Sequence, residues 1–333
     1  MANIKDVAKL AGVSASTVSR TLSGKVFVDA ATKKKVLEAV NALGYSPNYL
    51  AQSLKGGKTH LLAVILPDIA GSYYPAAVKA IEKYAAQNGY SLMLFSTDGD
   101  IQKEIKTLAT LKHGYADGII ILPCGDEAGH IPAHKDGKAP VVVLNRAPDG
   151  DINCASTDNI GGAYDVMCYL IEKGHRKISA VLRGFEDSAY RMRCDGAMEA
   201  LRQNNLEHSE RYFVFDADAQ TAGRKIRNLL TGSDRPTAFF LSEDAFAPAV
   251  YSAAAQLGIR IPQDISVAGY GDTPAGKYML PELTTYDLHT DEICEAAVKN
   301  LMRRISRRQK NHEKQFFRGE VIERGSVAEA NYR

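Results

Sequence analysis

The chain has 333 residues, 45% of them hydrophobic and 24% charged, with a net charge of +2. That length is long for one core and suits two or three domains, and the composition argues against a disordered or fibrous chain. Five scattered cysteines (Cys124, Cys154, Cys168, Cys194, Cys294), without a CxxC pair, argue against a disulfide framework or zinc site and suit a reducing compartment. The opening Met-Ala-Asn-Ile-Lys-Asp has no apolar signal core, and runs such as Leu61–Leu66 are too short to span a bilayer. The expectation is a cytoplasmic protein with no membrane partner.

Charge is unevenly spread. Residues 1–60 carry nine Lys/Arg against three acids, a net of +6, which leaves the remainder at −4. A basic head on a mildly acidic body is an electrostatic footprint for nucleic acid, although a solvated basic face is the commoner explanation of a run such as Lys33–Lys35.

Residues 4–43 read as three short helices. Ile4, Val7, Ala8 and Ala11 recur at helical spacing, Gly12 breaks the helix, Val13 turns back to the core and Ser14 can cap the next helix. This second helix, near Ala15–Leu22, keeps Val18 and Leu22 for packing and turns out Ala15, Ser16, Ser19 and Arg20. A third, from about Ala30 to Leu43, offers Val36, Leu37, Val40 and Leu43 as its apolar stripe and ends at Gly44. Two helices joined at Gly12 form a helix-turn-helix. Its second helix has short side chains for close approach to the major groove and an arginine that can reach guanine. From pattern alone an ordinary three-helix bundle stays open.

The string IKDVAKLAGVSASTVSR, a Val-rich turn, and TKKKVLEAVNALGYSPNYLAQSLKGGKT closely resemble the head of the lactose-repressor (LacI/GalR) family of bacterial transcriptional regulators, over residues 3–59. The resemblance implies that Ala15, Ser16 and Arg20 read bases while Thr17 and Ser19 hold phosphates, contacts that position the head without specifying sequence. Ser46-Pro47 begins a segment, Asn48–Lys55, that can form a short helix ended by Gly56-Gly57 and is marginal in isolation. In the resembling family this hinge orders on operator DNA and pairs with its dimer mate. Leu54 stands at the position of the leucine that wedges into the central base step, with Lys55 beside it in the DNA-contacting set.

From residue 61 apolar strands alternate with amphipathic helices. Strands are expected at Leu61–Leu66, Ser91–Phe95, Gly118–Leu122, Val141–Leu144, Lys177–Leu182, Thr237–Leu241 and Ile265–Ala268. Helices are expected at Pro75–Asn88, Gly161–Lys173, Arg193–Asn204 and Glu292–Arg307. Such βα alternation implies parallel sheets with ligands at strand C-terminal ends. The body also resembles the family core, which looks like a periplasmic sugar-binding protein, through Leu66-Pro67-Asp68, Asp117-Gly118-Ile119-Ile120, Leu144-Asn145-Arg146, Asp158-Asn159, Gly174-His175-Arg176-Lys177, Arg193-x-x-Gly196 and Ile261-Pro262-Gln263-Asp264.

The expected fold class is therefore α/β: a small all-α helix-turn-helix head (1–46), a hinge (47–59), and a two-lobed, doubly wound, periplasmic-binding-protein-like core (60–333). The N-lobe is expected at about 60–159 plus 290–320 and the C-lobe at about 160–289 plus 321–333, with strand-like Gln315–Ile322 returning to complete the first lobe.

Carried over by the resemblance, the effector cleft uses Tyr73 and Tyr74 as stacking faces and Asn145, Asp158 and Arg193 as polar anchors, a set suited to a polyol such as a sugar. Arg191 with Arg193 could instead hold a carboxylate or phosphate. Tyr74 as core, Asp158 as a helix cap and Arg191 as a surface residue stay open. Three departures fall where a ligand is chosen. Gly271 stands where the family commonly has Asp, with Asp272 one place later; Glu243-Asp244 replaces Asn-Asp; and Ser72-Tyr73-Tyr74 replaces an Asn-Pro-aromatic-aromatic run.

The expectation is a nucleoid-associated homodimeric repressor on palindromic double-stranded operator DNA, switched by a small effector. A non-sugar co-repressor of purine or nucleoside type is the alternative, and a solute-binding protein a more distant one. No GxSxG, HExxH, Walker A or GxGxxG is present, so no catalytic residue, metal or cofactor is expected, and His113, His175 and His289 read as neutral surface or capping residues. Leu54→Ala is predicted to weaken specific operator binding far more than non-specific binding in fluorescence anisotropy; equal losses on both duplexes would remove the wedge role.

Overall fold

The computed structural model describes residues 2–23, 27–45, 58–71, 73–126, 129–131, 139–184, 188–206, 213–215, 219–306 and 311–330. Two compact units divide at the Thr59–His60 boundary.

The head unit holds α1 (Ile4–Ala11), α2 (Ala15–Ser23) and α3 (Ala30–Ala42). Asn3 starts α1 with a capping box: its side chain accepts from the Lys5 and Asp6 amides while Asp6 accepts from the Asn3 amide, meeting backbone donors the helix leaves open. Gly12 ends α1 at φ +67°, a left-handed conformation that glycine adopts without strain. Val7, Ala8, Ala11, Val18, Val36 and Ala39 form the core. On α3 the inward residues are Val36 and Ala39, whereas Leu37 and Leu43, expected in the stripe, are 42% and 36% exposed. The i, i+3 pair with small Ala39 lets α3 lie close to α1.

The body contains two six-stranded sheets, each defining a lobe. The first takes β1 (Leu61–Leu66), β2 (Ser91–Ser96), β3 (Gly118–Ile121), β4 (Val141–Leu144), β5 (Asn153–Thr157) and β11 (Lys314–Phe317), all parallel, in the order β11-β5-β4-β3-β1-β2. The second takes β6 (Ile178–Leu182), β7 (Phe213–Phe215), β8 (Ala238–Leu241), β9 (Ser266–Tyr270), β10 (Thr284–Asp287) and β12 (Glu320–Ile322), in the order β12-β10-β9-β8-β6-β7 with only β12 antiparallel.

Helices cover both faces, which is why β1 is a continuous apolar run. Leu62, Val64 and Leu66 pack towards α4 (Tyr74–Gln87) and α10 (Thr290–Ile305), while Ala63 and Ile65 pack towards α5 (Ile101–Leu111). In the second lobe Ile178, Ala180 and Leu182 meet α6 (Asn159–Glu172) and α7 (Ser188–Gln203). Val181, Phe239 and Leu241 meet α8 (Ala219–Thr231) and α9 (Ala247–Gln256).

The chain passes between lobes three times: after β5, after β10 and after β11. Gln315–Ile322, expected as one strand completing the first lobe, is thus two strands in two sheets. The break is at Arg318-Gly319, where the chain runs so close to the β10 segment that a Cβ on Gly319 would meet the Asp287 carbonyl. His175 also departs from expectation. It is 2% exposed, sits between Thr237 Oγ1 (3.0 Å) and the Ala328 carbonyl (3.1 Å), and ties the chain's last described segment to the start of β8. No helix among the described residues is long and apolar enough to cross a membrane, and the five cysteines are free thiols.

Helices α6 and α7 approach so closely that a Cβ at Gly196 would run into the Ile160 carbonyl. Gly196→Ala is predicted to lower unfolding free energy by about 1–3 kcal/mol, read from the urea midpoint, because backbone cannot give way as a side-chain tip can. Burial pushes the His175 imidazole below its ordinary 6.5, so the unfolded chain binds a proton the native state refuses. That contribution is complete above pH 6.5 and is lost as pH falls through the lower native value. Urea melts of the wild type are expected to shift down between pH 7 and pH 5, and His175→Gln to lose that part of the slope.

Candidate functional site

Two regions concentrate side chains that their own fold leaves outward or unmatched. The first is α2. Ser14 caps it by accepting from the Thr17 amide at 3.1 Å, and its hydroxyl also reaches Ser16 Oγ (2.7 Å) and Thr17 Oγ1 (2.9 Å). Val18 is fully buried, which fixes the roll of the helix and leaves Ser16, Ser19 and Arg20 exposed. Thr17 and Ala15 are half-buried, and Ala15 leans on the head core. The exposed face is thus short hydroxyls followed one turn later by a guanidinium. Leu54 and Lys55 lie outside the described residues.

The second region lies where strand ends of the two lobes meet. Arg193, on α7, is 5% exposed. Its Nε donates to Asn159 Oδ1 at 2.8 Å and its Nη1 to the Ser242 carbonyl at 2.6 Å. Its guanidinium lies 4.2 Å from the Tyr270 ring centre and 5.0 Å from that of Tyr190. Tyr270 stacks on Tyr286 at 4.9 Å, and both rings abut Gly162, where a Cβ would clash. Tyr73 precedes α4 and meets Tyr74 edge-on at 5.8 Å. Burial pushes its phenol well up, with Cys294 and Tyr74 adding to the shift and Arg193 opposing it. Asn145 follows β4 in the left-handed region at φ +61°. Its Oδ1 and the Tyr73 hydroxyl are buried without a hydrogen-bond partner among the described residues. Such atoms are costly unless something else meets them.

The two expected carboxylates behave differently. Asp158 caps α6 by accepting from the Gly161 amide at 2.9 Å and pairs with Arg318 at 3.6 Å. Asp272 pairs with Arg324 and lies 3.5 Å from Lys277. Neither is paired with Arg193. A cavity of about 310 Å³ adjoins Tyr73 and is lined also by Gly271, Asp272, Thr273, Asp287 and His289.

Several further residues shape the cleft. Asp126, on the loop after β3, accepts from the Ser188 amide at the start of α7 (2.9 Å), from Arg146 (3.1 Å) and from Arg191, so one first-lobe carboxylate holds the second lobe. Burial works to raise Asp126, but the Ser188 hydroxyl and amide, Arg191 and Arg146 hold it below the ordinary carboxylate value. Arg191 is accordingly a bridge, although 43% of its side chain is exposed. Glu243 accepts from Arg183 (3.2 Å) and the Tyr190 hydroxyl (3.0 Å). Asp244, 3% exposed, accepts from the Thr273 amide (2.7 Å), Thr273 Oγ1 (3.0 Å) and Thr285 Oγ1 (2.6 Å), and burial pushes its carboxyl up. Asn159 stands in the Asp-Asn motif and Tyr270 in Gly-Tyr-Gly, so both had a signal in the sequence. Asp126 had none, since its partners on α7 stand 62 and 65 residues away. No group of His, Cys, Asp and Glu among the described residues could hold a metal.

Comparison with known proteins identifies the family of the chain. Residues 3–48 match the model for bacterial regulatory proteins of the lacI family, and residues 167–327 match a periplasmic binding protein-like domain. The chain is 34% identical to the HTH-type transcriptional repressor PurR of Aliivibrio salmonicida, covering 98% of this chain and 99% of the relative. It is equally 34% identical to the ribose operon repressor of Escherichia coli K12, over 98% of this chain and all of the relative. Among solved structures, the Lac repressor dimer bound to operator and the anti-inducer ONPF superposes with a TM-score of 0.87 at 25% identity, over 98% of this chain and 99% of that one. The chain belongs to the lacI family of bacterial regulatory proteins, which are DNA-binding repressors and not enzymes.

Proposed function

We infer that two copies of this protein grip a palindromic operator through their α2 helices, in the cytoplasm at the nucleoid, and that a small hydroxylated effector in the interlobe cleft sets the strength of that grip. The observation that carries the reading is the pairing, in one chain, of an exposed Ser16-Ser19-Arg20 face with a cleft in which buried Tyr73 and Asn145 oxygens have no protein partner among the described residues. On this reading Ala15, Ser16 and Arg20 face base edges, and Thr17 and Ser19 face phosphates. The hinge residues Leu54 and Lys55 complete the DNA contact. In the cleft, Tyr73 and Tyr74 give apolar faces, and Asn145 and Arg193 give hydrogen bonds. Asp158 and Asp272 act one step back, the former by setting the start of α6 and the latter by fixing the chain after Gly271.

Asp126 gives the switch a physical handle. Its contacts with Ser188 and Arg191 join the two lobes, and opening the cleft would break them. A ligand that binds the closed arrangement better shifts the population towards it by its differential affinity. The hinge then transmits lobe closure to the paired heads. A relative named as a ribose operon repressor supports a sugar or sugar derivative as effector.

Selection from a random duplex pool should return a palindrome whose affinity falls by about 0.9 log unit per log salt for each phosphate neutralised. Arg20→Ala should relax preference at one base pair per half-site, by about 1–3 kcal/mol in anisotropy titrations. Selection that returns no palindrome, or a complex indifferent to salt, would overturn the reading.

A further inference from the structure

The start of α2 holds three hydroxyls that share a limited supply of protons. Ser14 Oγ accepts from the Thr17 amide at 3.1 Å and lies 2.7 Å from Ser16 Oγ and 2.9 Å from Thr17 Oγ1. Neither the Ser16 nor the Thr17 hydroxyl has another hydrogen-bond partner among the described residues. A serine hydroxyl has one proton to donate and two lone pairs with which to accept. The Thr17 amide occupies one lone pair, which leaves Ser14 one proton and one lone pair for its two hydroxyl neighbours.

Oxygens at these separations have a proton between them, so Ser14 donates to one neighbour and accepts from the other. Ser16 and Thr17 therefore take opposite roles. The one that donates to Ser14 has spent its proton; the one that accepts from Ser14 keeps its own for a further partner. Ser14 itself is held in place, because its carbonyl also accepts from the amide of the fully buried Val18 at 3.1 Å.

Bound DNA selects between the two arrangements. Phosphodiester oxygens accept and do not donate, so a Thr17 that faces one keeps its proton for it. Thr17 then accepts from Ser14, and Ser14 accepts from Ser16. We propose that Ser14 is a positioning residue that decides which bases Ser16 can read. With its proton spent on Ser14, Ser16 presents lone pairs alone and selects a base with an amino group in the major groove, adenine N6 or cytosine N4, over guanine or thymine. A serine outside such a relay makes contacts of either kind. The proposal rests on the reading in which Ser16 faces a base edge and Thr17 a phosphate. Each hydroxyl in the row polarises the next, which strengthens the donation at the phosphate end. Arg20 is a donor in either arrangement, so the preference at its own base pair is independent of Ser14.

The test uses the full-length protein and a duplex selected from a random pool. The pair that Ser16 reads is the one whose preference disappears in Ser16→Ala. Anisotropy titrations then compare the selected duplex with two others. One lacks the exocyclic amino group at that pair, through purine for adenine or 2-pyrimidinone for cytosine; the other carries a 7-deazapurine there. Removing the amino group should weaken the wild type about three- to tenfold, the range of one hydrogen bond, and should cost Ser16→Ala nothing further. Removing N7 should leave binding unchanged. Ser14→Gly frees the Ser16 proton, and glycine is accepted at a helix start. It should narrow the penalty for exchanging the two bases of that pair while the preference at the Arg20 position stays as it was. Ser14→Thr, which keeps the hydroxyl, should retain both preferences. Indifference to the amino group, or a Ser14→Gly loss spread evenly over every position, overturns the relay and leaves Ser16 a base reader. If Ser16→Ala changes the preference at no pair, the base-reading role of Ser16 falls and the proposal with it.

Discussion

The body depends on three strands of chain laid side by side between the lobes. After β5, Asp158 donates its amide to the Phe317 carbonyl at 2.8 Å, which fastens the first crossing to the third. Arg318 on the third crossing reaches back to Asp158 and Asp165. Gly319 then lies against the Asp287 carbonyl of the second crossing with no room for a side chain. Each lobe is therefore built from distant parts of the chain, and neither sheet closes until the crossings are in register. The cleft inherits its geometry from this seam, because Asp158 and Asn159 open α6 directly from it and Asn159 holds Arg193.

Long periodic segments were legible in the sequence because their physics is local. β1 reads as a strand because both its faces are buried, and α4, α6, α7 and α10 read as helices because one stripe of each meets a sheet. The polar strands were not legible. β5 is Asn-Cys-Ala-Ser-Thr and β10 is Thr-Thr-Tyr-Asp, yet both lie inside their sheets and are buried throughout or nearly so. Their polar groups are met by residues far along the chain, as when Thr285 donates to Asp244 and Thr284 accepts from the Arg324 amide. Periodicity carries no trace of such partners. The split of 314–322 into two sheets fails for the same reason: only the neighbouring crossing forces the break at Gly319.

The site was legible to different depths for a similar cause. Arg193, Tyr73 and Asn145 are reached through the resemblance to the family core, and in the fold they lie after a strand, before a helix or in the first half of one. Whether a carboxylate faces them is a matter of direction, and direction is set by tertiary partners. Asp272 could be located but not aimed until Arg324 was seen beside it. Asp126 could not be singled out, because a lone aspartate in a loop has no meaning until Ser188 and Arg191 arrive from the other lobe.

Three tethers at one edge also limit what the lobes can do. Backbone strands resist stretching and sliding past one another far more than they resist twisting together, so the seam leaves one soft coordinate, a rotation of one lobe over the other. The contacts of Asp126 join the lobes separately from the seam, through Ser188 and Arg191. A ligand held between the lobes would act by stopping that rotation, and ligands of quite different shape could stop it at the same point.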